Sequence, residues 1–176
     1  SEYDVMDQDA IIASALDIIA DESTLKNDMG EVLQIRSSSE DVQKILYNLF
    51  YDVLNIEFNL WMWVRQMCKY GDFFLKLEIA EKFGVYNVIP YTAYHIERVE
   101  GQNPENPAEV KYRWNPDGFA GSSYGYYNVP NQGSNPNDDN SGITYDNYEM
   151  AHFRMVADVN YLPYGRSYIE PARKLY

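Results

Sequence analysis

The hydrophobic positions near the start of the chain recur with the period of an α-helix. Within residues 9–20, the apolar side chains that share one helical face are Ile12, Ala15, Leu16 and Ile19. The carboxylate of Asp7 or Asp9 can cap the first turn of this helix. A short, partly alternating run at residues 32–36 predicts a strand after it.

Two further helices are predicted before the hydrophobic pattern changes from the helical period to that of β-strands. The polar residues 38–41 offer side-chain oxygens to the free amides of a helix that continues to Val53. The helical period restarts near Phe58 and stops at Gly71, where a left-handed C-cap is expected. Because the last of these helices is apolar on most sides, it is expected to be buried.

The hydrophobic period changes to two after Asp72, which is typical of β-strands. The apolar residues on one face of the first strand are Phe73, Leu75, Leu77 and Ile79. Three more runs follow at hairpin-like spacing, at residues 85–89, 93–99 and 110–114, and a later strand is predicted over residues 148–155. The economical interpretation is an antiparallel sheet.

The end of the chain predicts one more helix. Ser167 and Glu170 have the spacing of a capping box, and the helix they open is cut short at Tyr176. The order of helices, then strands, then a helix predicts an α+β fold in which N-terminal helices pack on an antiparallel-rich β-sheet. We expect residues 1–176 to form a single domain with a long surface loop and a truncated C-terminal helix.

The predicted loop spans residues 115–147 and contains Gly, Asn, Asp, Ser, Pro and Tyr with almost no aliphatic side chains. It is too long for a simple connection, so we expect an exposed, mobile segment. Its tyrosines include Tyr124, Tyr126, Tyr127 and Tyr145. The loop is either a disordered surface excursion or a protein-contact surface. Stacking on single-stranded nucleic acid is disfavoured because the loop has aspartates but no Lys or Arg.

Composition limits the class of protein. The 176 residues, 45% of them hydrophobic, suffice for one folded domain. There is no signal peptide pattern or apolar run long enough to span a membrane. Because Cys68 is the single cysteine, no internal disulfide is available, and a reducing, cytoplasmic origin is expected. A start at Ser1 and an end inside a helical pattern suggest a piece of a longer protein.

Charge argues against tight DNA binding. The formal net charge is −13, whereas proteins that hold nucleic acid neutralise phosphates with Lys and Arg. Nine carboxylates lie between Glu2 and Glu31, where Lys26 is the one cation. This acidic segment is either a solvated face or a contact surface for a basic partner.

No group of residues has the spacing of a catalytic centre. His95 and His152 lie in alternating strand patterns, where hydrogen-bonded structural histidines are the favoured interpretation. Cys68 lies in an apolar helix and is interpreted as a small core residue. The sequence contains neither a phosphate-binding glycine motif nor the paired ligands of a zinc site. No catalytic residue, cofactor or metal is therefore predicted.

Two weaker metal hypotheses remain open. The residues Asn137, Asp139 and Ser141, followed by Gly142, imitate half of a calcium loop, but Tyr148 occupies the position of the final ligand. An ordinary Asn/Asp/Gly turn is favoured there. Asp17 and Asp21, four residues apart, form the best carboxylate pair for a metal-dependent nuclease or hydrolase of a DNA-packaging apparatus.

Four stretches resemble the portal proteins of contractile-tailed phages of the T-even type. They are ALDIIADEST at residues 15–24, CKYGDFFLKLEI at 68–79, YRWNPDGF at 112–119, and MAHFRMVADVNYLPYGRSYIEPARKLY at 150–176. The last stretch is the most specific. The resemblance covers most of the chain outside residues 120–146.

The resemblance implies a structural subunit rather than an enzyme: part of a dodecameric ring at one capsid vertex of the virion, assembled in the host bacterial cytoplasm. It implies contacts with the terminase packaging motor, the major capsid protein, and head-completion and tail proteins. Double-stranded DNA would pass through the ring during packaging and ejection without sequence-specific binding. The chain resembles the outer wing of such a subunit, before its stem, clip and crown. A free-standing protein-binding module is the other alternative.

The resemblance also places the junction between wing and stem near the end of the chain. Its candidate residues, also candidates for subunit contact, are Tyr164, Gly165, Arg166, Ser167, Glu170 and Arg173. We expect Ser167 and Glu170 to exchange capping hydrogen bonds, Gly165 to adopt an unusual backbone angle, and Arg166 to contact the wing or a neighbour. An ordinary helix cap without a role in assembly is the alternative.

Overall fold

The computed structural model describes residues 1–115, 143–156 and 159–175. Four α-helices occupy its N-terminal part: α1 (Glu2–Met6), α2 (Ala10–Ser23), α3 (Glu40–Tyr47) and α4 (Ile56–Tyr70). None of the helices in these ranges is both long and apolar enough to span a bilayer.

Local hydrogen bonds and backbone angles set the ends of these helices. Asp9 caps α2 by accepting a 2.8 Å hydrogen bond from the amide of Ile11. Of the two residues predicted as the cap, Asp9 is therefore the one that caps the helix. The second predicted helix changes at Asn48–Val53 into a π-helix. Asn55, with φ of 44°, separates it from α4. The C-cap predicted at Gly71 is present, with φ of 86°.

The strands in the described ranges form two antiparallel three-stranded sheets. The first has the order β2 (Gly84–Tyr91), β1 (Asp72–Ala80), β6 (Met150–Arg154). The second has the order β3 (Ile96–Glu100), β4 (Val110–Trp114), β5 (Ile143–Asp146). The predicted α+β fold with antiparallel strands is confirmed. A short 3₁₀ turn, Ala93–His95, lies between the last strand of one hairpin and the first strand of the second sheet.

Several predicted boundaries were wrong. Residues 32–36 are not a strand, because their carbonyls bond to side chains: Leu33 to Tyr51 Oη at 2.5 Å and Ile35 to Gln43 Nε2 at 3.1 Å. The strand predicted over 148–155 is Met150–Arg154, preceded by the 3₁₀ turn Asn147–Glu149. The predicted loop 115–147 extended too far, since its last residues form β5 and the start of that turn.

Within the described part of the chain, three hydrophobic clusters fill the interior. The first joins α1, α2, α4 and the C-terminal segment through Met6, Leu16, Cys68 and Ile169. The second packs α4 on β1 through Ile56, Trp63, Phe73 and Leu75. The third lies between the sheets and contains Phe74, Ile96, Tyr112 and Met150. The burial predicted for Cys68 is confirmed, and the first cluster places both ends of the chain at the end of α4.

Candidate functional site

The C-terminal residues 164–173, called here the junction segment, dock where α4 meets β1. The amide of Met155 donates to the carbonyl of Gly71 at 2.8 Å, and the amide of Arg166 donates to the carbonyl of Met155 at 2.9 Å. The amide of Tyr168 donates to the carbonyl of Cys68 at 3.0 Å. Backbone hydrogen bonds therefore attach this segment to the last turn of α4.

Gly165 and Gly71 approach each other more closely than side chains permit. A Cβ atom on Gly165 would lie 2.0 Å from the carbonyl oxygen of Gly71. The unusual backbone angle expected at Gly165 is not a left-handed one: the glycine with positive φ in this contact is Gly71, at 86°. Gly165 is required for space, a reason that its own local sequence does not show.

Ser167 is buried and faces α4 rather than the helix that it precedes. Its hydroxyl donates to the carbonyl of Lys69 at 2.6 Å and accepts from the amide of Ile169 at 3.1 Å. The expected exchange of side-chain bonds between Ser167 and Glu170 was therefore wrong. The free carbonyl at the end of α4 is a competing partner for the hydroxyl. The helix that follows is a 3₁₀-helix, Glu170–Leu175.

A buried carboxylate that the sequence patterns did not single out holds the same turn. Asp72 Oδ1 accepts from the amide of Gly165 at 2.9 Å and contacts Nε2 of His152 at 2.7 Å. The ring of His152 stacks on Phe74, with the ring centroids 4.3 Å apart. His152 occupies the hydrogen-bonded interior position predicted for it. The only local sign of Asp72 was a polar residue at the start of an apolar strand.

The remaining junction residues connect to other parts of the fold. Tyr164 Oη accepts from the amide of Arg98 in β3 at 3.0 Å, which ties the junction segment to the second sheet. The Arg166 guanidinium lies 5.5 Å from the centre of the Tyr161 ring. His95, the other predicted structural histidine, lies in the 3₁₀ turn before β3, and its carbonyl accepts from the amide of Asn115.

The N-terminal helix α1 packs against the junction segment. Tyr3 Oη donates to Glu170, and Arg173 pairs with Glu2. Burial and the hydrogen bond to Glu170 raise the pKa of Tyr3. Glu170 and Arg173 thus contact the other end of the chain rather than capping their own helix.

The acidic N-terminal segment is partly neutralised by two cations on α4. Arg65 binds Asp7 through two nitrogens, at 2.8 and 3.1 Å, and Asp17 through a third at 2.6 Å. The ammonium of Lys69 lies 2.8 Å from carboxylate oxygens of both Asp4 and Asp7. Three of the nine carboxylates are therefore paired with cations of α4. The alternatives considered for the acidic segment, a solvated face or a contact surface for a basic partner, do not apply to these three carboxylates.

The same contacts shift the pKa values of the carboxyls. Hydrogen bonds from Arg65 and Lys69 hold the pKa of Asp7 below its ordinary value. Burial alone would raise the pKa of Asp4, but hydrogen bonds from Lys69 and Tyr70 outweigh burial and lower it. This cluster of five charged side chains, called here the ionic cluster, comprises Asp4, Asp7, Asp17, Arg65 and Lys69.

Both carboxylates of the pair considered for a nuclease accept hydrogen bonds from side chains of α4. Asp17 bonds to Arg65, and Asp21 accepts from the indole nitrogen of Trp61 at 2.7 Å. Within residues 1–115, 143–156 and 159–175, no three His, Cys, Asp or Glu side chains are grouped to hold a metal ion. The half calcium loop from Asn137 to Gly142 lies outside the described residues.

The candidate contact tyrosines separate into two groups. Tyr124, Tyr126 and Tyr127 lie outside the described residues. Tyr145 lies in β5 and not in a loop, and its hydroxyl is 3.0 Å from that of Tyr91. Its half-buried ring contributes to the cluster between the sheets, because the alternation of β5 turns it toward the core.

Comparison with protein families finds a match that covers the entire chain. The family model described as Bacteriophage T4-like portal protein (Gp20) matches residues 1–176. A comparison with curated protein sequences finds no match.

Proposed function

This chain belongs to the T4-like portal protein family, and we propose that it forms the wing of a portal subunit in a ring of twelve copies. Portal proteins have a structural role in the phage virion, at a vertex of the capsid. The observation that carries the proposal is the family match over all 176 residues, which includes the four stretches that carry the resemblance.

In the proposed role, the ring is the conduit through which double-stranded DNA enters the capsid and later leaves it. The ring is the docking site for the terminase motor during packaging and for head-completion and tail proteins afterwards, and it contacts the major capsid protein. Assembly takes place in the host bacterial cytoplasm. A net charge of −13 supports passage of DNA without sequence-specific binding, because this part of the subunit repels phosphates.

Within the subunit, we assign the junction segment the task of fixing the direction in which the chain leaves the wing. The contacts of Gly165, Ser167 and Tyr168 with α4 leave this segment little freedom to rotate. The bond from Gly165 to the buried Asp72 and the bond from Arg98 to Tyr164 tie it to both sheets. A stem that follows this segment would therefore start in the same direction in every subunit of the ring.

Electron microscopy of the full-length portal protein tests the proposed function. A closed ring of twelve subunits with an axial channel is the expected result. A full-length protein that stays monomeric would instead favour the free-standing binding module. Metal-dependent cleavage of DNA by the purified protein, abolished by Asp17→Asn, would favour the nuclease alternative.

A further inference from the structure

The β1–β2 hairpin extends beyond the rest of its sheet. Strand β6 pairs with β1 only from Asp72 to Lys76. The distal part of the hairpin, residues 77–88, continues as a two-stranded ribbon that ends in a turn at residues 81–83. A two-stranded ribbon is marginally stable in water unless it packs on another element.

This distal ribbon exposes large apolar side chains. Phe83 at its turn is 82% exposed, and Tyr86 and Ile79 are 55% and 46% exposed. Phe74, at the other end of the same hairpin, is completely buried. The turn also carries the charged pair Glu81 and Lys82. The ribbon tip therefore combines an aromatic residue with a cation at a projecting position.

A second apolar surface lies on the outward face of α2. Ile11 and Ile18 are seven residues apart, share one helical face, and are 80% and 60% exposed. The opposite face, with Leu16 and Ala20, is fully buried. A helix that is apolar on both faces is typical of a helix covered on both sides. The exposed Glu22 lies on the same outward face of α2.

We propose that the ribbon tip of one subunit packs on the outward face of α2 in the next subunit of the ring. The contact presupposes the ring proposed above. Both surfaces stay exposed within a single chain, so they do not cover each other. A ring is closed by contacts between two different surfaces of identical chains, and permanent interfaces are more apolar than transient ones. Lys82 complements the acidic α2, because Glu22 lies beside Ile18 on the outward face of this helix.

Site-specific photocrosslinking in the full-length portal protein tests this contact. A benzophenone amino acid at Phe83 should yield covalent dimers and longer ladders, with crosslinked peptides from residues 10–23 of a second copy. The same probe at Tyr148, another exposed aromatic residue, is the matched control and should yield no crosslink to those residues. Phe83→Ser should lower the yield of rings at least about tenfold, since it removes one buried aromatic contact per interface.

A charge exchange makes the test independent of folding. Lys82→Glu should weaken ring formation, and Glu22→Lys in the same chain should restore it, while circular dichroism of each variant stays that of the wild type. A monomeric wild-type protein would overturn the ring and this contact together. Intact wild-type rings in which the probe at Phe83 crosslinks elsewhere, to another protein or not at all, would overturn this contact alone. So would a Phe83→Ser variant that forms rings in normal yield.

Discussion

The end of α4 is held on two sides by two kinds of interaction. On one side, the junction segment approaches so closely that Gly165 and Gly71 are in backbone contact, and the bonds are short and mostly neutral. On the other side, α1 is held by the ionic cluster through Arg65 and Lys69. The neutral side depends on shape and admits no added atom. The ionic side depends on charge and responds to pH.

The end of α4 can therefore fix the direction of the junction segment and also join the two ends of the chain. Lys69 takes part on both sides, since its carbonyl accepts from Ser167 and its ammonium binds Asp4 and Asp7. Its burial makes the ion pairs costly to break, because an unpaired charge would be left with little water around it. Four substitutions distinguish the contribution of the neutral side from that of the ionic side.

Gly165→Ala should have the largest effect, because the added Cβ would collide with the carbonyl of Gly71. We expect a loss of at least ~3 kcal/mol in the free energy of unfolding, measured by urea denaturation. Gly101→Ala is the control: its φ of 70° imposes strain, but no atom lies within 4 Å of the new Cβ, and the loss should be about 1 kcal/mol. Equal losses would contradict a role for close approach.

Lys69→Met should cost about 2 kcal/mol in the free energy of unfolding, because it leaves Asp4 and Asp7 without their shared cation. Lys26→Met removes the exposed pair with Glu57, whose atoms are 3.4 Å apart, and should change stability by less than ~0.5 kcal/mol. The two variants are compared by urea denaturation at neutral pH. A similar effect of both would mean that the ionic side contributes no more than a surface pair.

Asp7→Asn should remove part of the pH dependence of stability. The pKa of Asp7 lies below its ordinary value in the folded protein, whereas in the unfolded chain it is about 3.9. Its stabilising contribution is therefore fully present above that ordinary value and is lost as the pH falls through the folded pKa. The wild type should exceed Asp7→Asn in unfolding free energy by about 1 kcal/mol at pH 7, with the difference shrinking toward pH 2. Asp28→Asn, which removes an exposed carboxylate from the same acidic segment, is the control for the loss of one negative charge.

Ser167→Ala should cost about 1 kcal/mol in the free energy of unfolding, because it removes one hydroxyl that bonds two backbone groups. In the full-length protein it should lower ring yield more than this loss implies, since the bond to Lys69 orients the junction segment. Ser39→Ala, at an N-cap without a side-chain hydrogen bond, should change neither quantity. A lowered melting temperature with normal ring yield would show that Ser167 acts only locally.

Much of the fold was predictable from local pattern. The helical and alternating periods located α2, α4 and β1, and Gly71 marked the end of α4 as predicted. The division of the strands into two sheets was not predicted, because the hydrophobic period of a strand does not show with which distant strand it pairs. The strand expected at residues 32–36 failed for a related reason: side chains from α3 and the π-helix satisfy its backbone.

The candidate site was located by sequence, but its contacts were not. The resemblance of residues 150–176 to portal proteins singled out Gly165, Ser167 and Glu170, and all three lie in the docked junction segment. Their partners are Gly71, Lys69 and Tyr3, far away along the chain. Local capping rules consider only neighbours, so they assigned Ser167 and Glu170 to each other. Asp72 was missed because a single polar residue before an apolar strand has no distinctive pattern.

By itself, the sequence determined the class of the elements, the α+β order, the acidic charge and the family, because periodicity, composition and motif are properties of neighbouring residues. Only the tertiary structure decided which carboxylates are paired, why Gly165 carries no side chain, and where the hydroxyl of Ser167 points. Those features arise where α4 brings together residues from both ends of the chain. Contacts of that kind depend on distance in space and leave no regular spacing along the chain.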